Sequence, residues 1–169
     1  MKKLIVNAKT GEVLEEAFEP PTLTLDEEKV ILLQTLEEKI TTHIFSLYPD
    51  LKQKSDLSDK EYWSNYLVAK GVEERGFRIE LIRSVENVYA GGDFETEVDR
   101  LTSIIFPSGY TIEDRIAIEQ MLKVAVRVSF IQRVKAVYRQ VEGEIVNAVD
   151  KASLPDLSNL NLPKIPSLR

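Results

Sequence analysis

His43 is the single histidine in the chain and there is no cysteine. Histidine-rich metal sites, the Glu-x-x-His pairs of di-iron bundles and the His-Glu-x-x-His zinc motif all need more than one imidazole. Thiolate metal sites, disulfides and cysteine nucleophiles are closed for want of a thiol. A Ser-His-Asp triad can be written only through His43. No Gly-x-Ser-x-Gly elbow accompanies it, and His43 falls beside Thr41 and Thr42 inside a helical pattern, where a structural histidine is the usual outcome. Phosphate-cradling glycine loops are missing too, and Gly91-Gly92 reads as a turn between helices. The carboxylates Glu15-Glu16, Glu27-Glu28, Glu37-Glu38 and Glu73-Glu74 come as adjacent pairs, which diverge around a helix or strand instead of converging on a reacting atom. Arg115, Lys123, Arg127, Arg133, Lys135 and Arg139 could track a phosphate backbone, but acids are interleaved with them, as on a solvated helix face. Trp63 with Tyr62 and Tyr66 could form an aromatic contact patch, although aromatic residues at helical spacing more often serve as core. No residue is assigned a catalytic, cofactor-binding or metal-binding role, and no cofactor is expected.

The elements that would have to position any site follow from size and pattern. A chain of 169 residues suits one domain, and 43% apolar side chains suffice for a core, so wholesale disorder is excluded. The net charge of -6 works against non-specific phosphate attraction, so a nucleic-acid partner is disfavoured. No window nears the roughly 18 to 20 consecutive apolar residues of a membrane span. The opening Met-Lys-Lys-Leu-Ile-Val meets polar Asn7, Lys9 and Glu12 instead of a secretory apolar core. A soluble, unsecreted chain without membrane contact is expected.

The fold class expected is mainly α: a short N-terminal β-hairpin, a helical bundle with one long C-terminal helix, and an extended Leu/Pro tail. The chain divides into a hairpin arm over 1–21, a helical domain over 22–152 and a docking tail over 153–169. Leu4 to Val6 and Val13-Leu14 flank the turn residues Asn7 to Gly11, and a two-stranded hairpin is marginal alone, so its apolar face needs helices or another chain. Thr24-x-x-Glu27 is a capping box that starts a first helix running to about Leu47, with Val30, Leu33, Leu36, Ile40, Ile44 and Leu47 as its stripe. Tyr48-Pro49 stops it. A polar loop through Lys52, Lys54, Ser55 and Asp56 is expected next, then a short helix opened by Ser58-x-x-Glu61. Gly71 ends that helix, Val72 to Tyr89 forms a third, and Asp93 caps a fourth that reaches Pro107. Thr111 opens a long pattern from Ile112 to about Lys151, in which Gly143 could make a break.

Two features bear on association. Ile131, Val134, Tyr138, Val141, Ile145, Ala148 and Ala152 are spaced 3, 4, 3, 4, 3 and 4, a heptad seam with charged flanks. It could join copies of the chain, or pack inside the monomer against the first or third helix. In the tail, three prolines forbid a helix while Leu154, Leu157, Leu160, Leu162, Ile165 and Leu168 place an apolar residue at every second or third position. Such a segment can dock extended in a groove.

The opening Lys3-Leu-Ile-Val-Asn-Ala-Lys-Thr-Gly-Glu-Val-Leu-Glu-Glu16, running through Pro-Pro into a charged helix, resembles the start of small tailed-phage and prophage tail-region proteins. Lys54-Ser-Asp-Leu-Ser-Asp-Lys-Glu-Tyr-Trp63 strengthens that resemblance. It implies a structural or assembly component instead of an enzyme, located in a virion or host cytoplasm, and it brings no site residues with it. The expectation is a homo-oligomer with other particle proteins as partners, joined through the seam and by the tail docking on a neighbour. A tail-assembly chaperone or adaptor is the first alternative, and a small helical enzyme or ligand-binding bundle the second.

Overall fold

A computed structural model describes residues 22–168 and, as backbone only, the paired strands β1 (Lys2–Val6) and β2 (Val13–Ala17). The turn of the hairpin expected over 1–21, and the face on which it was expected to rest, lie outside the described residues. The described chain is mainly helical, with α1 (Leu25–Leu47), α2 (Asp50–Ala69), α3 (Glu74–Tyr89), α4 (Phe94–Ile105) and α5 (Ile112–Asn147).

Local chemistry sets most boundaries. Thr24 Oγ1 accepts from the Glu27 amide, and the Glu27 carboxylate accepts from the Thr24 amide at 2.7 Å, closing the expected capping box. Thr111 and Asp114 repeat that box at the head of α5, and Asp93 caps α4 through the Thr96 amide. Gly71, at φ 77°, ends α2 in the left-handed region, where its amide and that of Val72 satisfy the last carbonyls of the helix. The third helix starts two residues later than Val72, because the Glu73 carboxylate accepts from the Arg75 and Gly76 amides and serves as the cap.

The second helix corrects the sequence reading more substantially. Residues 52–57 are not a loop, and Ser58 caps nothing; α2 is helical from Asp50. Pro49, at φ -59°, takes the N-cap position just ahead of it, and Asp50 places an acid in the first turn. The charges that resemble a loop form i,i+4 ion pairs along the helix, Lys54 with Asp50 on its surface and Lys52 with the buried Asp56, each at 2.7 Å.

The helix α5 runs through Gly143 without a break and stops at Asn147, short of Lys151. Its 36 residues span about 54 Å at ~1.5 Å per residue. Two single 3-10 turns, Lys151–Ser153 and Leu157–Asn159, follow, each capped by the aspartate just before it.

Helices α1 and α2 lie one after the other along α5 and antiparallel to it. Three contacts fix that register: Lys29 to the Val146 carbonyl at 3.0 Å, Tyr48 through Asp56 to Arg127, and Tyr66 to Asp114 at 2.8 Å. Helices α3 and α4 pack on the first half of α5, where Arg115 binds Glu95 and Asp99 and the Tyr89 hydroxyl donates to the Val126 carbonyl. The two ends of α5 therefore sit in different surroundings. Its first half carries two clusters, one of Leu67, Phe77, Leu101 and Ile118, the other of Val85, Val88, Phe94, Val98 and Leu122. Its second half carries a third, in which Leu36 and Ile40 of α1 meet Phe130, Val134, Val141 and Ile145.

Candidate functional site

That third cluster contains most of the heptad seam. Val134, Val141 and Ile145 are buried against α1, and Ile131 and Tyr138 pack half-buried beside them. Ala148 is buried just past the helix end, while Ala152 is exposed in the 3-10 turn and outside the seam. Within the single chain the seam packs on its own first helix, with Ile131 and Tyr138 left half-buried at its edge. The stripe of α1 supplies the complementary ridge: Leu33, Leu36, Ile40 and Ile44 take part, whereas Val30 and Leu47 stay exposed. An antiparallel pair of stripes satisfies the same side chains that a coiled coil would, so spacing alone leaves the partner open.

Within the single chain the tail docks on its own body. Leu157 is buried in the cluster between α1 and α5, with Leu154, Leu160, Leu162 and Ile165 packed around it. Ile165 and Leu168 continue onto the Val85–Phe94–Leu122 cluster beside α3. The arm therefore closes one flank of the α1/α5 pair and ends against the bundle. His43 finds its role here. Nε2 lies 2.6 Å from the Pro163 carbonyl, which can only accept, so the imidazole donates to the arm, and its ring lies 5.7 Å from Phe130.

The buried polar groups are tied to one another. Asp56 is 1% exposed and accepts from Tyr48 Oη, Arg127 Nη1 and Lys52 Nζ. Burial pushes its carboxyl up, but those three donors outweigh burial and leave it below the ordinary carboxylate range; burial and the same aspartate push the Tyr48 phenol up. Asp114 follows the same pattern: desolvation raises it, while bonds from Thr111, Tyr66 and Lys70 bring it down to about 2. Glu97 accepts from Arg100 on its own helix and from Asn87 across the α3/α4 contact. Of the basic row on α5, Arg115, Lys123, Arg127 and Arg133 are each paired to a carboxylate of this chain. Trp63 and Tyr66 pack on the core beside Leu67, and Tyr62 is exposed. No group of three or more metal-ligating side chains occurs among the described residues, and no helix there is long and apolar enough to cross a membrane.

The feature that sequence patterning missed is a groove of about 620 Å³ between α2 and α3, with α5 as its floor. Phe77, Leu81, Met121 and Val124 line its base, and Lys60, Glu74, Arg78 and Glu86 stand on its rim. Val68, Ile82 and Val128 are exposed along it; these apolar residues fall outside the stripes that form the core, and they were the available signal.

No known protein family, curated protein or solved structure matches the chain.

Proposed function

We propose that the protein is a non-enzymatic structural component of a phage or phage-derived particle, and that its C-terminal arm is the element passed between copies. One observation carries this reading. Among the described residues, the arm over 154–168 receives a single hydrogen bond from the body, His43 to Pro163, and is otherwise held by apolar side chains. Burial of a Leu or Ile stabilises by roughly 1.5 to 3 kcal/mol before ordering costs. A segment held this way leaves no backbone ladder to break when it moves. The exposed Val149–Ser153 stretch supplies a hinge, and an arm that leaves one groove meets the identical groove of another copy. The hairpin at 1–21 belongs to the same proposal, as a second arm seeking a surface. The phage setting draws its support from the resemblance of the opening stretch and of residues 54–63.

The test is mass in solution by light scattering over a range of concentrations, with helicity followed by circular dichroism. It compares the full chain, a version ending at Lys151, and the full chain with Leu157→Asp and Leu160→Asp. An oligomer that loses mass in both variants while keeping α2–α5 helical supports arm exchange. A full chain monomeric at every concentration overturns it. A tail-assembly chaperone or adaptor is the second reading, favoured by the open groove between α2 and α3, which has the apolar base and charged rim of a site for a client helix.

A further inference from the structure

The α1/α5 pair has two flanks, and the arm covers only one. His43, which donates to Pro163, marks the covered flank of α1, and Tyr89 of α3 joins the cluster on that same side. The opposite flank carries Val30, Leu33 and Ile44 of α1, spaced by helical turns, and Ile131, Tyr138 and Val146 of α5. Val30 and Val146 are each 55% exposed, and the other four are half-buried. Among residues 22–168, α1 makes its main contacts with α5 and with the Leu157–Asn159 turn.

We infer that this open flank receives a second copy of the chain, with α1 of one copy lying over α5 of the other, so that two helix pairs complete a four-helix bundle. The inference rests on the reading that the chain self-associates, but it assigns association to a different surface from the arm. Charge selects the occupant. Glu37 on α1 and Lys135 and Arg139 on α5 stand on this flank without an ion-pair partner among the described residues, while the α5 cations nearer the bundle are paired.

The register makes the face self-complementary. Lys29 contacts Val146, and Tyr48 connects to Arg127 through Asp56; counting along the antiparallel helices from either contact puts Glu37 level with Tyr138 and Ile44 level with Ile131. A two-fold axis parallel to the helices keeps those levels. It therefore brings Val30 of one copy onto Val146 of the other, Ile44 onto Ile131, and Glu37 beside Arg139. Without an ion-pair partner among the described residues of the single chain, that acid and base meet twice across the axis.

The experiment is sedimentation or light scattering of the full chain over a concentration range, with four variants. Val30→Glu keeps a good helix former with its charge towards the α1 N-terminus, so the monomer keeps its helicity and melting temperature. It should raise the dimer dissociation constant at least about tenfold. Arg139→Glu should also weaken the dimer, and the double variant Glu37→Arg with Arg139→Glu should restore it. Leu160→Asp, which loosens the arm, should leave this dimer in place. A monomeric full chain overturns the inference, as does a dimer indifferent to Val30→Glu and Arg139→Glu. An oligomer lost with Leu160→Asp but kept with Val30→Glu overturns it too, while leaving arm exchange standing.

Discussion

The two halves of α5 show two ways of closing a core. Around residues 112–130, α2, α3 and α4 surround the helix, and charge-assisted bonds pin α2 and α4 to it: Asp114 to Tyr66 and Lys70, Arg115 to Glu95 and Asp99, and Arg127 to Asp56. Around residues 130–147 α1 lies alongside, α3 reaches only to Arg133 through Glu86 and Tyr89, and an extended arm takes the place of further helices. A helix brings its own backbone hydrogen bonds to an interface, whereas the arm brings only side chains and one accepted bond from His43. The first half is built to stay closed. The second is closed by a part held almost entirely through its side chains.

The largest expected break in this contrast is Asp56→Ala, at the junction of the halves. Tyr48, Lys52 and Arg127 all converge on this buried carboxylate. Removing it strands the Tyr48 hydroxyl and the mostly buried Arg127, at a cost of about 3 to 5 kcal/mol by denaturant titration. Leu157→Ala, in the arm half, should cost about 2 kcal/mol or more for the buried side chain lost. Its effect should be local. Amide exchange rises along 154–168 while amides of α3 and α4 stay protected; equal loosening of both halves would dissolve the comparison.

Acid sharpens the comparison from the bundle side. Asp114 titrates near 2 in the folded chain, below its unfolded value of roughly 3.9. Its stabilisation is therefore full above that unfolded value and is lost as pH falls through about 2. Asp114→Asn should flatten the fall in melting temperature between about pH 4 and pH 2. An unchanged slope would mean that the carboxylate gains nothing from its partners. The smallest effect has the opposite sign. Gly143 sits inside α5 with nothing within 4 Å of an added Cβ, so Gly143→Ala should stabilise by about 0.5 to 1 kcal/mol in a urea melt.

Caps and breakers were legible in the sequence because their chemistry is local. Thr24 with Glu27, Asp93, Thr111 with Asp114, and Gly71 each act on amides or carbonyls a few residues away, and each stands where its pattern placed it. The head of α2 was obscured because Ser58-x-x-Glu61 has the form of a capping box, while Lys52 and Asp56 look like loop residues until they are seen paired. Partner identity was less accessible still. The seam's spacing specifies that a stripe will be covered, and α1 covers it; a second chain would have given the same spacing. Asp56 gave no hint of burial, since its donors Tyr48 and Arg127 lie 8 and 71 residues away.

The measurement closest to the central claim is amide hydrogen exchange across the full chain under native conditions. Slow exchange is expected for α2 to α4 and residues 112–130, intermediate rates for α1 and 130–147, and the fastest exchange for the amides of 154–168. An arm as strongly protected as the bundle would contradict that claim, because such protection requires backbone bonds that an arm held by its side chains does not make.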